Sequence, residues 1–235
     1  MITETLQNLT LINGDCMDYM RTLKDNEFDL SITDPPYGGL RFDCKTSFHK
    51  GAFTQYPKGK RWDTRPPREY FNELQRVSKN QIIWGANYFV DLCDFSGWSW
   101  LCWNKQQSEN CYNFSMGELA VYSGKKPLKI FDYSFLKNKN NSVNPYRAKN
   151  VKFHPCQKPI ALYKWLLKHY ATAGDKIFDS HLGSGTSAMA CHDAGYVFTG
   201  IEIDKDYFDN ALKHIEWHQR QLKLFDNELK PNIYG

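Results

Sequence analysis

A run of β-prone residues, Phe28-Asp29-Leu30-Ser31-Ile32-Thr33, stops abruptly at Asp34-Pro35-Pro36-Tyr37. The two prolines fix φ, lack N–H donors and push the residues before them out of the helical region. A strand over Phe28–Thr33 therefore ends in a stiff, extended corner. The Asp34 carboxylate and the Pro35 carbonyl stand at its tip, with Tyr37 beside them. Two fixed acceptors next to an aromatic face suit a flat group that carries an exocyclic NH₂, such as a nucleobase. A buried strand closed by an ordinary proline turn reads the same way, so the corner alone leaves both open.

Toward the other end, Lys176–Asp179 reads as a strand and Ser187–Ala194 as a small-residue helix ending at Gly195. Between them runs Asp179-Ser180-His181-Leu182-Gly183-Ser184-Gly185-Thr186. The next strand, Val197–Ile203, carries Glu202 near its end, 17 residues after Gly185. Glycines let backbone N–H groups approach a ligand, and the following helix N-terminus favours its negative end. An acid closing the second strand can accept both hydroxyls of a ribose. The loop lacks the Lys-Ser/Thr of a phosphate-binding Walker loop and the third glycine of the dinucleotide fingerprint. A Gly-x-Gly turn alone is a weak signal; with the flanking strands and the acid at this distance it points to an adenosine-type cofactor, an ordinary turn remaining the other reading.

The elements that must hold these two loops alternate as a parallel sheet requires. Strands are expected at Leu9–Gly14, Phe28–Thr33, Gln81–Trp84, Trp98–Trp103 and Glu118–Tyr122, besides the two above. Helices are expected at Asp18–Leu23, Arg68–Ser78, Ile160–Tyr170 behind Pro159, and Asp206–Leu224, the last ten residues forming a tail. Asp15 falls at the end of the first strand. Segments 38–68 and 124–152 break the rhythm, with glycines, prolines and aromatics but no sustained period; both are expected to be irregular insertions. They are also where the charge sits. Each holds eight Lys/Arg, giving +6 and +7, so a chain of net +4 carries about −9 elsewhere. Concentrated basic segments interleaved with aromatics on an acidic body form the footprint of a polyanion with stackable bases.

With 235 residues, a 41% hydrophobic and 24% charged composition fits one globular domain spanning 1–235 with those two insertions, not a disordered chain. No apolar run approaches the ~20 residues of a membrane span. Met1–Asn8 lacks a signal-peptide pattern, so a cytoplasmic location without membrane association is expected. The seven cysteines are scattered with no CxxC pair, which speaks against disulfides and a zinc site; no metal is expected.

Asp34-Pro35-Pro36-Tyr37, then His154-Pro155-Cys156-Gln157-Lys158-Pro159, then Asp179–Thr186 and Ile201-Glu202-Ile203-Asp204 together resemble the β-class amino-DNA methyltransferases. The order is similar too, with the catalytic tetrapeptide first, target recognition in the middle and cofactor motifs last. The matching segments are 9–37 and 151–217, with a weaker match at 77–90. The resemblance implies S-adenosylmethionine (AdoMet) as cofactor and an exocyclic amine in DNA as methyl acceptor. Aspartate in first place points to adenine N6, since N4-cytosine members usually begin with serine. It implies a catalytic role for Asp34, Pro35, Pro36 and Tyr37, with Asp34 also bordering the cofactor. Asp179, His181, Leu182, Gly183, Ser184, Gly185 and Thr186 would cradle the methionine part of AdoMet, and Glu202 its ribose. Asp15 with Cys16 would lie near its adenine; His154, Cys156 and Lys158 would close over its carboxylate, Lys158 pairing with it. Departures are Ser180-His181 where the family usually has Pro-Phe, and Cys156 where Thr is common.

The implied fold is α/β, a doubly wound, seven-stranded, Rossmann-like AdoMet-dependent methyltransferase sheet. It is circularly permuted and carries the target-recognition insertions. The implied partner is double-stranded DNA with its target adenine flipped out and stacked on Tyr37. Phosphate contacts are expected from Arg41, Lys45, Lys58, Lys60, Arg61 and Arg65 of the first segment and from Lys137, Lys139 and Arg147 of the second. A homodimer and a cognate restriction endonuclease fit the same resemblance, as does an orphan or phage methylase. An N4-cytosine DNA methyltransferase, an RNA amine methyltransferase and a non-catalytic nucleic-acid-binding subunit are the competing readings. Charge reversal at Lys58, Lys60 and Arg61 is expected to weaken DNA binding and flatten its salt dependence, measured by binding isotherms across salt concentrations.

Overall fold

The computed structural model describes residues 1–38, 64–107, 115–134 and 157–228. The interiors of both basic segments lie outside the described residues. So do Arg41, Lys45, Lys58, Lys60, Arg61, Lys137, Lys139, Arg147, His154 and Cys156.

Among the described residues nine strands form one sheet: β1 (Ile2–Leu6), β2 (Leu9–Asn13), β3 (Phe28–Thr33), β4 (Ser78–Trp84), β5 (Ser99–Asn104), β6 (Gly117–Tyr122), β7 (Lys129–Asp132), β8 (Lys176–Asp179) and β9 (Val197–Glu202). Their order is β1-β2-β9-β8-β3-β4-β6-β5-β7. The five from β2 to β4 run parallel, and β6 enters antiparallel between β4 and β5. Five α-helices cover it: α1 (Cys16–Met20), α2 (Arg68–Val77), α3 (Ile160–Tyr170), α4 (Thr186–Ala194) and α5 (Lys205–Glu228). One face buries Leu30, Ile32, Trp84 and Leu101 against α3, α4 and α5. The other buries Phe28, Ile83, Phe178 and Ile201 against α1 and α2. Being covered on both faces, β3 buries both of its alternating sets, Ser31 and Thr33 as deeply as Leu30 and Ile32.

The expected doubly wound α/β sheet is found, with two strands more than the expected seven. The inner seven, β2 to β5 across the sheet, correspond to the expected ones. The additions are both at the edges. β1 joins β2 through a two-residue turn at Gln7-Asn8, with Gln7 at φ 57°, and so lacks the Asn-Gly or Asp-Gly signature that announces a hairpin. Its side chains are nearly all exposed, so no apolar pattern marks it. β7 corrects the reading of 124–152 as wholly irregular: Lys129–Asp132 pairs parallel with β5, and Phe131 packs on the core. Four residues at an edge, two of them charged, are too few to show a period. The terminal helix also runs further than expected, to Glu228, into the segment read as a tail.

Permutation is visible in the pairing: β2 from the start of the chain lies directly on β9 from near its end, Leu11 opposite Gly200. Chain direction across the sheet reverses between β3 and β8, the crevice where doubly wound sheets bind ligands. The ends of β3, β4, β8 and β9 open there. Because β6 is antiparallel, its beginning lies at the same edge, with Trp84 paired to Ala120 and Asn104 to Gly117. That single reversal brings residues just after Asn104 and at the start of β6 to the mouth of the crevice.

Gly85 sits directly after β4 at φ 68°, and a Cβ there would overlap the Tyr37 ring. Gly85→Ala is therefore expected to cost about 1–3 kcal/mol by thermal or denaturant unfolding, from left-handed strain plus displacement of Tyr37.

Candidate active site

The tetrapeptide leaves β3 at the reversal point, as a proline-stiffened end should. Asp34 is half-buried and Pro35 buried. The Tyr37 hydroxyl donates to Asp34 Oδ1 at 2.6 Å. The Tyr37 ring stacks on Tyr88 at 4.9 Å and 17°, with Phe89 edge-on at 6.0 Å. The aromatic expected to receive a flipped base is thus already paired with a second, half-exposed tyrosine from the turn after β4.

Asp34 Oδ2 accepts from the Lys158 ammonium, which also lies 3.0 Å from Glu118 Oε2 and 5.3 Å from the centroid of the Trp84 ring. Lys105 completes the group, 2.5 Å from Glu118 Oε1. Burial disfavours the charged form of Lys158, yet the two carboxylates outweigh it and hold its pKa above the ordinary lysine value. Glu118 is pulled down to about 2, its own burial overridden by Lys158 and Lys105. Asp34 moves the other way: burial raises it, and Lys158 offsets that only in part. Of the contacts implied for the cofactor, this one is placed elsewhere: Lys158 faces the Asp34 carboxylate. Glu118 and Lys105 were not singled out from the sequence, because nothing in Gly-Glu-Leu-Ala-Val-Tyr marks its acid as buried.

The loop after β8 is built around Asp179, 1% exposed. Its Oδ1 accepts the His181 backbone N–H at 3.0 Å and its Oδ2 the Ser187 hydroxyl at 2.7 Å. Burial pushes its pKa up to about 7, against those hydrogen bonds and with Asp34 and Glu202 adding repulsion. Among the described residues no cation pairs with it. Gly183 and Gly185 take φ 54° and 77°, turning the chain into α4, and a Cβ on Gly185 would meet Ile215 of α5 at 3.0 Å. His214 of α5 donates from Nδ1 to the Ser184 carbonyl at 2.9 Å, tying the loop to the terminal helix. Glu202 accepts from the backbone N–H of Gly183 and of Asp204, both at 2.9 Å. A carboxylate has about four lone-pair sites, so acceptor capacity remains.

These donors and acceptors fit AdoMet. A buried, cation-free carboxylate suits its ammonium, and an acid held at the end of β9 suits its ribose hydroxyls. The other implied contacts fall as follows. Asp15 caps α1, accepting the Met17 N–H at 2.7 Å, and Gly14 donates to the Glu202 carbonyl at 3.0 Å, which brings Asp15 and Cys16 next to Glu202. The Leu182 side chain points into the core and Thr186 is buried behind Ser184. Ser180-His181 forms a buried polar knot. Ser180 Oγ bonds Tyr70 at 2.7 Å, Thr33 at 2.8 Å and His181 Nδ1 at 3.0 Å, joining β3, α2 and the loop. Burial takes the His181 pKa down to about 4, so the ring is neutral at pH 7. Arg65 pairs with Asp91 and lies over Phe89 at 5.8 Å, folded back beside the tyrosine pair.

Residues 103–213 match the family model described as DNA methylase. The chain is 26% identical to the type II methyltransferase M.HpaI of Haemophilus parainfluenzae over 94% of this chain and 78% of that protein. It is 23% identical to the type II methyltransferase M2.MboI of Moraxella bovis over 97% and 93%. Among solved structures it is similar to an M1.HpyAVI–SAM complex (TM-score 0.56, 20% identity, 88% of this chain and 99% of that one). It is similar also to the cytosine-N4-specific PvuII DNA methyltransferase (TM-score 0.60, 13% identity, 93% and 94%). The family match and these relatives support the reading of the chain as an amino-DNA methyltransferase, and the solved structures bear out the fold.

Asp179 generates a test that needs no ligand. Its folded pKa of about 7 lies above the ordinary carboxylate value, so the folded state holds a proton that the unfolded state has lost. The burden of its charge is absent below about pH 4 and fully present above about pH 7. Asp179→Asn is therefore expected to raise the unfolding temperature relative to the parent, with a difference that grows from pH 4 to pH 7 and then stays level.

Proposed function

We propose that the protein is a site-specific DNA methyltransferase that moves a methyl group from AdoMet to the N6 amine of a flipped adenine. The observation that carries this is the juxtaposition at the reversal point of the sheet. Asp34-Pro35-Pro36-Tyr37 closes β3 beside the Asp179–Gly185 loop that follows β8. DNA as the substrate is supported by what the relatives are named for and by the two basic segments, 38–68 directly after the corner and 124–152 further along the chain. Adenine is supported by aspartate in first place of the tetrapeptide.

An exocyclic amine is a poor nucleophile because its lone pair is delocalised into the ring. Hydrogen bonds accepted by the Asp34 carboxylate and the Pro35 carbonyl favour a pyramidal nitrogen and offset the positive charge that grows on it. Asp34 accepts most strongly, and through both oxygens, when ionised, and Lys158 opposes the burial that would protonate it. AdoMet, when bound, supplies an electrophilic methyl on a sulfonium. Asp179 would hold its ammonium, the glycine loop its methionine chain and Glu202 its ribose. Placement matters most here, because a methyl and its acceptor must come within about 3–3.5 Å and in line. Tyr37 and Tyr88 offer the aromatic surface against which a base leaving the duplex can stack. Excess proton on the methylated nitrogen passes to water.

Incubation with tritiated AdoMet and unmethylated genomic DNA, followed by digestion to nucleosides, is expected to give N6-methyladenine. N4-methylcytosine would reassign the base, label in RNA alone would reassign the polymer, and no AdoMet binding by calorimetry would leave only a nucleic-acid-binding role. Asp34→Ala is expected to lower the single-turnover rate by about 10²–10³ while AdoMet still binds. Asp179→Asn is expected to do the reverse, weakening AdoMet binding about tenfold or more by removing a charge-assisted contact.

A further inference from the structure

Asp34 has a difficulty that the proposed reaction does not resolve by itself. Both its carboxylate oxygens already accept from protein donors, Oδ1 from the Tyr37 hydroxyl and Oδ2 from the Lys158 ammonium. Each oxygen keeps a second lone pair, but an ammonium is a stronger donor than a neutral amine, so a base N–H meets Oδ2 only as a second donor in competition with it. The second anchor of that ammonium is at hand. Glu118 Oε2 lies 3.0 Å from Lys158 Nζ, close enough for an ion pair. Yet it is buried without an aligned hydrogen bond among the described residues. Its other oxygen is held by Lys105. Lys158 is 4% exposed, packed over Trp84, so water cannot take its place.

We infer that Lys158 is an exchangeable latch on the catalytic carboxylate and that Glu118, which no motif includes, is the positioning residue that receives it. Without a target base, Lys158 donates to Asp34 and keeps it ionised. When the amine arrives, the ammonium turns its hydrogen to Glu118 Oε2 and frees Asp34 Oδ2 for the N–H of the base. The shift is a reorientation of one buried group between two acceptors it already touches. Lys105 keeps Glu118 in place and ionised throughout. This rests on the amine methyltransferase reading and deepens it: Glu118 sets how readily the corner opens to its acceptor.

The test compares Glu118→Gln, Lys158→Met and the double variant with the parent, each loaded with AdoMet and mixed with unmethylated genomic DNA in single-turnover assays. Glutamine keeps the volume of the side chain but removes the charge that draws the ammonium away. The expected result for E118Q is a methyl-transfer rate lowered about tenfold, equivalent to about 1.4 kcal/mol, with AdoMet affinity by calorimetry within twofold of the parent. Glu118→Asp should recover part of the loss. The latch predicts that this loss depends on Lys158: in the K158M background the same Glu118 substitution costs nothing or raises the rate. Equal losses in both backgrounds would assign Glu118 a structural role and overturn the inference. So would an unchanged rate for E118Q, or a K158M chain slower than E118Q at every pH from 7 to 9. A parent chain that methylates DNA while these variants behave so sinks the latch alone. A parent chain that binds AdoMet but labels no nucleic acid sinks the reading beneath it.

Discussion

A carboxylate accepts hydrogen bonds well only while it is ionised, and Asp34 sits where burial works against ionisation. The rest of the site is arranged around that conflict. Lys158 supplies the opposing charge from the start of α3, and Lys158 in turn is kept cationic in a dry place by Glu118 and Asp34 together. Lys105 extends the alternation of sign by one more member. Four formal charges that cancel are easier to bury than two that do not, because each removes much of the desolvation penalty of its neighbour. Tyr37 adds a neutral donor to the same acid, and its ring reaches Asp34 only because Gly85 leaves room for it.

The acid of the cofactor loop faces the same physics without a cation. Asp179 is 1% exposed, and among the described residues it is satisfied only by a backbone N–H and a serine hydroxyl. In the absence of ligand this costs stability near neutral pH, the kind of local expense that binding sites retain because a ligand relieves it. The two acids therefore use burial differently. One has its charge balanced by a protein cation. The other, among the described residues, has none.

The departures from the family's usual residues become intelligible in three dimensions. Serine and histidine in place of proline and phenylalanine at 180 and 181 look like decay in a linear motif. In space they tie the loop to Thr33 of β3 and Tyr70 of α2, with the histidine held neutral by burial. The knot joins three elements through side-chain hydrogen bonds, and every member must be satisfied. His214 does a similar service from the far end of the chain, through a carbonyl in the loop.

What the amino-acid sequence determined by itself was local or short in range. The Asp-Pro-Pro-Tyr corner, the glycine loop and the strands that carry them follow from stereochemistry and from apolar runs, and β3, α2, α3 and β8 lie where those patterns place them, to within a residue. The permuted order was implied by the resemblance in motif order, and the pairing of β2 with β9 agrees with it. The edge strands did not, since β1 and β7 bury little and leave no period to read. Nor did the partners of the catalytic acid. Glu118 and Lys105 stand more than 70 residues from Asp34, on strands whose direction decides which end meets the crevice. Only pairing β6 antiparallel to β4 puts its first residues there, and only that placement turns an ordinary glutamate into a buried charge. Side-chain type is written in the chain; which charges must share one dry cavity is decided by the sheet.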